Sequence, residues 1–148
     1  MNFDIDVSGE DIFQNNYTIC IASKDGIIKG FKITSSLINI INSKYGQEKY
    51  RYKKSKKGRT TFKVRLYCII IYYLFKSLKI KGEISLDICR DFNGKENDIR
   101  ENLKYFLVEN LKLNLNDRIH FTKLGKESNA HKYAFLMRND KKNLMKEH

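Results

Sequence analysis

Proline is absent from this chain, closely paired cysteines are absent too, and acids are scarce beside the bases. The three cysteines, Cys20, Cys68 and Cys89, are odd in number, widely spaced and each set in an apolar stretch. Without a Cys-x-x-Cys pair neither a zinc ribbon nor a disulfide framework is supported, so the thiols read as reduced packing residues. Long apolar runs are also missing. The longest, Leu66 to Phe75, is ten residues bracketed by Lys63, Arg65 and Lys76, about half of a membrane span, which favours a buried helix and no membrane. The start of the chain lacks a basic-then-apolar signal, so the expected location is cytoplasmic. The missing proline accompanies abundant Lys, Ile and Asn, a compositional bias that raises the lysine count without clustering it.

What is present suits one domain over residues 1–148. An apolar content of 41%, with nine Phe and nine Tyr, can build a single core without staples. The formal charge of +12, from 29 bases against 17 acids, calls for a polyanion. Nucleic acid, DNA or RNA, is the first candidate and an anionic membrane surface the second. The lysines do cluster. Between Lys44 and Arg65 there are ten bases and one acid, Glu48, with Tyr45, Tyr50 and Tyr52 interleaved. This predicts a basic loop at 44–60, inserted before the long helix. Lys49, Arg51, Lys53, Lys54, Lys56, Lys57 and Arg59 would neutralise phosphates while the rings offer stacking faces. The plainer alternative is a solvated loop. Lys126, just before the last helix, is a further phosphate-binding candidate. No glycine-rich loop precedes it, so nucleotide hydrolysis is not expected.

Periodicity predicts strands over 2–8, 17–22, 27–33, 83–89 and 117–124. Lys24-Asp25-Gly26 is a tight-hairpin signal. Thr34 or Ser35 can cap a short helix through Ile41. Residues 61–80 are apolar nearly all round and predict a central helix stopped by Gly82. A helix opening at Asn97 or Asp98 carries Ile99, Leu103, Phe106, Leu107 and Leu111 at helical spacing, and a last helix begins near Ser128. Three early strands followed by alternating helices and strands imply an α/β fold, a mixed five-stranded sheet with helices on both faces.

The opening strand carries the chemistry. Phe3-Asp4-Ile5-Asp6-Val7-Ser8-Gly9 alternates, placing Asp4 and Asp6 together opposite Phe3, Ile5 and Val7. Mid-strand aspartates are costly unless a cation meets them, either Lys or Arg or a metal ion. Asp4 reads as an exposed edge charge, and Ser8-Gly9 as a turn or a place for a phosphate to approach. Ile5-Asp6-Val7-Ser8-Gly9 resembles the Ile-Asp-Glu-Ser-Gly opening of uncharacterised families in the ribonuclease H-like superfamily, with Val7 in place of Glu. Ile84-Ser85-Leu86-Asp87 is similar to the fourth strand of such proteins, and Ala130-His131-Lys132-Tyr133-Ala134 to their last helix, with His for Asp.

The resemblance implies a ribonuclease H-like fold and a metal-dependent nuclease. Asp6 and Asp87 would hold Mg²⁺ or Mn²⁺, and His131 would complete the site as ligand or proton carrier. The superfamily usually places a Glu in the long helix, but residues 61–80 contain no acid. Glu10 or Asp91 would stand in as metal ligands; otherwise each is a solvent-facing or capping acid. The alternative to a nuclease is a non-catalytic nucleic-acid-binding module or complex subunit. Relatives that cut branched DNA commonly form a cleft between two copies, so a homodimer is also expected. The salt-bridge alternative for Asp87 is Arg90, and His120 reads as a surface or sheet-packing residue.

Overall fold

Alternation along the first strand, β1 (Asn2–Ser8), divides the molecule in two in the computed structural model, which describes residues 1–46, 56–90, 92, 94–115, 118–125 and 127–140. Phe3 and Ile5 are fully buried, whereas Asn2 and Asp4 are half-buried on the opposite side. β2 (Thr18–Ser23) and β3 (Ile28–Lys32) follow, joined by the Asp25-Gly26 turn, where Gly26 has φ +95° and its N–H donates to the Ser23 carbonyl. With β4 (Ser85–Cys89) and β5 (Ile119–Thr122) they make one five-stranded sheet, ordered β3-β2-β1-β4-β5. The first three strands pair antiparallel, and β4 joins β1 and β5 in parallel. β1 is therefore the centre of the sheet, flanked by a strand on each side.

Helices cover both faces. α1 (Ser35–Gly46) starts at Thr34, whose hydroxyl accepts from the Leu37 N–H. α2 (Lys56–Leu78) crosses the face that holds Phe3, with the Phe75 ring edge-on at 4.9 Å. α3 (Glu96–Leu103) lies beside it and continues as a π-helical stretch, Lys104–Asn110. The core sits between these helices and the apolar side of the sheet, formed by residues such as Ile19, Ile21, Ile71, Leu86, Leu103 and Leu107. α4 (Asn129–Arg138) lies against the other face, across β1, β2 and β3.

The α/β class, the mixed five-stranded sheet and the helices on both faces agree with the sequence reading. α2 begins at Lys56, five residues earlier than periodicity predicts, and α1 extends to Gly46. The expected 44–60 loop is thus helical at both described ends, while 47–55 lie outside the described residues. The reason is physical: Lys and Arg have helix propensities close to that of Ala, so a basic run extends a helix as readily as it forms a loop. Cys20 and Cys68 are buried and free. Burial, and then the nearby Asp6 charge, pushes the Cys20 thiol up to about 12, and burial also raises Cys68. Such thiols are inert. Among the described residues no helix is long and apolar enough to cross a membrane.

Candidate functional site

Asp6 lies near the C-terminal end of β1, 3% exposed. A carboxylate this deep is costly unless its oxygens are hydrogen-bonded, and both are. Oδ1 accepts from the Val7 N–H at 2.7 Å, and Oδ2 meets Nδ1 of His131 at 2.8 Å. The two residues are 125 positions apart in sequence. A carboxylate at Nδ1 fixes the proton there in the neutral ring and leaves Nε2 as an acceptor. The His131 side chain remains 47% exposed, so the dyad has one sealed end and one wet end.

The sequence seats α4 by several local devices. Ser128 caps the helix, its Oγ accepting from the His131 N–H at 3.4 Å and donating to Oδ2 of Asp4 at 2.9 Å. Both aspartates of β1 therefore hold the first turn of α4. Farther along, Met137 lies so close to Gly30 on β3 that a Cβ there would sit 2.6 Å from its terminal methyl. Lys32 Nζ donates to the Asp140 carbonyl at 2.8 Å just past the helix end. These contacts fix where His131 lands.

Asp87 shares this face but stands opposite Asp4, not Asp6, in the β1–β4 register. Two residues of offset and one strand spacing put the Cα atoms of Asp6 and Asp87 about 8 Å apart. Asp87 Oδ2 accepts from the Asn2 side-chain amide at 3.1 Å. Among the described residues neither Asp4 nor Asp87 makes an ion pair, Arg90 included. Asp4 is half-buried on the central strand rather than at an edge. It lines a cleft of about 250 Å³ together with Asp87, Ser23, Lys24, Glu127 and Asn129.

Asp4 and Asp87 are hard oxygen donors, each with one oxygen engaged by a neutral donor. That pair suits Mg²⁺ or Mn²⁺, which bind through one or two carboxylates and keep much of their water. A pair of enclosed ions would need more. Among the described residues, no three His, Cys, Asp or Glu side chains gather closely enough to hold a metal. Asp6, the leading ligand by resemblance, has both oxygens committed within the protein.

The remaining candidates fall elsewhere. Glu10 is exposed in the loop after β1 and lines a separate recess of about 380 Å³ with Asp11, Phe13, Arg59 and Lys63. Gly9 has φ +127°, and a Cβ on it would meet the Tyr17 ring at 2.7 Å, so the turn itself requires glycine. His120 is exposed on β5, in register with Asp87. Arg59 is exposed on α2, and Lys56 and Lys57 open that helix. Asp91, Lys49, Arg51, Lys53, Lys54 and Lys126 lie outside the described residues.

Of the three residues placed at the centre by the sequence, Asp6 and His131 touch, and Asp87 pairs with Asp4 beside them. The role of Asp4 was legible only in its alternation with Asp6. Comparison with protein-family models, with curated proteins and with solved structures finds no match for the chain.

Proposed function

We propose that the chain has a ribonuclease H-like fold and processes nucleic acid at its phosphodiester backbone, with Asp6 and His131 as the proton-handling pair. The sheet order β3-β2-β1-β4-β5, antiparallel on one side of β1 and parallel on the other, supports the fold reading. The charge of +12 supports a polyanionic substrate. The observation that carries the chemistry is the 2.8 Å contact between a sealed aspartate and a half-exposed histidine. Asp6 orients the ring and holds its proton at Nδ1. Nε2 then faces the substrate side as an acceptor, able to take a proton from an attacking water and return it to the leaving oxygen. Asp4 and Asp87 would hold one Mg²⁺ or Mn²⁺ at the neighbouring cleft. When bound, the ion neutralises phosphate charge.

A non-catalytic nucleic-acid-binding module is the second reading. It draws on two observations: α2 carries no acid along Lys56–Leu78, and both Asp6 oxygens are already used.

Cleavage of labelled single-stranded, duplex, hybrid and branched substrates, with Mg²⁺ or Mn²⁺ and with chelator, tests both. The catalytic reading expects cutting by the native chain and a loss of about a hundredfold or more in Asp6→Asn and His131→Gln. Asp87→Asn should raise the metal concentration needed. Undiminished cutting by Asp6→Asn and His131→Gln would remove the dyad from the reaction. Salt-sensitive binding without cutting would select the binding module.

A further inference from the structure

The helical face, opposite Asp6, carries a surface that the acidic cleft does not use. On α2, Arg65, Tyr72, Tyr73 and Lys76 recur at helical spacing, and the π-helical stretch lays Tyr105 and Phe106 beside them. The contacts run without a gap. The Arg65 guanidinium lies 4.6 Å from the Phe106 ring centre and 5.4 Å from that of Tyr105. Phe106 is 5.4 Å from Tyr72, and Tyr72 is 5.0 Å from Tyr73. The Lys76 ammonium sits 5.8 Å and 5.9 Å from the two tyrosine rings. The result is a ridge of rings with a cation at each end, spanning about 17 Å along α2 at the usual helical rise. Tyr73 is 59% exposed and Tyr105 46%, large apolar surfaces left in water.

We propose that this ridge binds single-stranded nucleic acid, with bases stacking on Tyr73 and Tyr105 and phosphates meeting Arg65 and Lys76. The proposal rests on the nucleic-acid reading above and adds to it a place and a strandedness. Ring faces can stack only on bases that are not already stacked in a duplex, so the unpaired strand is the occupant they fit. Cations already lying over the rings favour a polyanion over an apolar protein partner. Glu101 and Glu109 flank Tyr105 four residues away on either side in sequence. Lys104 offsets only one of them, so the phosphate-facing charge comes chiefly from α2. Both tyrosines are exposed, so truncating them leaves the core intact.

The chain has no tryptophan, which permits a clean probe. Tyr73→Trp places one indole on the ridge, and its fluorescence is followed while unlabelled oligothymidine, or a duplex of equal length, is added. Quenching by the single strand and not by the duplex is expected. Tyr105→Ala in the same background should weaken single-strand affinity about tenfold, and Tyr105→Phe should restore it. If the native chain binds the strand with steep salt dependence but Tyr73→Ala and Tyr105→Ala bind equally well, the ridge is wrong and the nucleic-acid reading survives. If the native chain binds no nucleic acid, both fall. Quenching that depends on protein concentration without any oligonucleotide would assign the ridge to a second copy of the chain and overturn the proposal.

Discussion

Phe3 and Asp4 are neighbours on β1, yet they belong to surfaces held by different forces. Phe3 meets Phe75 edge-on at 4.9 Å in a core from which water is excluded. Asp4 accepts from the Ser128 hydroxyl at 2.9 Å, beside the cleft that Asp4 itself lines. The same alternation repeats on β4, where Leu86 and Ile88 are sealed and Asp87 is half-buried. One side of the sheet is specified by volume and tolerates little loss of it. The other adds donor–acceptor pairs to a few small apolar contacts, Ala130, Ala134 and Met137, to seat a ten-residue helix, α4. The difference assigns stability chiefly to the α2 side and the proposed chemistry to the α4 side.

The sharpest way to break that division is to remove volume from the apolar side. Phe75→Ala deletes a fully buried ring and should cost about 3–5 kcal/mol in urea unfolding. A loss that large would leave little folded chain, so Ile71→Val, costing about 1 kcal/mol, is the gentler companion. It should lower the unfolding midpoint while leaving any cleavage rate unchanged. If it cuts activity as deeply as Asp6→Asn, the two faces are not separable.

On the polar side, Asp6→Ala strips the acceptor from the Val7 N–H and from His131. Unfolding should show a cost of about 1–2 kcal/mol, below that of the core truncation because the half-exposed His131 can turn to water. Its effect on turnover should exceed its effect on stability. Equal and large losses in both would make the dyad a structural clasp.

Gly30→Ala probes how α4 is held at its other end. A Cβ there would sit 2.6 Å from the Met137 methyl and 2.7 Å from its sulfur. Those atoms end a flexible side chain, so the cost should be about 1 kcal/mol, read as a fall of a few degrees in thermal unfolding. No measurable shift would mean that Met137 does not fix the helix.

These residues also mark what the sequence made legible. Alternation in β1, the Asp25-Gly26 turn and the Ser128 cap are local signals, each decided within a few residues, and the structure carries all three. The register of β4 against β1 is not local. It joins strands separated in sequence by two other strands and two helices, so nothing near Asp87 announces that Asp4 would be its partner. The same holds for the turn of the chain at Lys104, where the α-helix becomes π-helical. Apolar spacing there looks like an ordinary helix, and Arg65 from another element stacks on the rings that result.

The smallest expected effect contrasts two aspartates five residues apart. Asp6 is sealed, while Asp11 is 48% exposed and bonded to Lys63 Nζ at 2.7 Å. Burial pushes the Asp11 carboxyl up, but the Lys63 hydrogen bond and charge, with the Phe13 N–H and Arg59, outweigh it and hold it below 3.8. A folded value below the unfolded one stabilises above pH 3.8, and that contribution is lost as pH falls through the folded value. Because the pair is solvent-screened, Asp11→Asn should cost less than about 1 kcal/mol at neutral pH, and less again in high salt. Urea unfolding of the native chain and the variant should differ at pH 7 and converge in strong acid. A gap that persists unchanged into acid would show that the Asp11 charge does not stabilise the loop, leaving the neutral hydrogen bond from the Phe13 N–H as the contact that orders it.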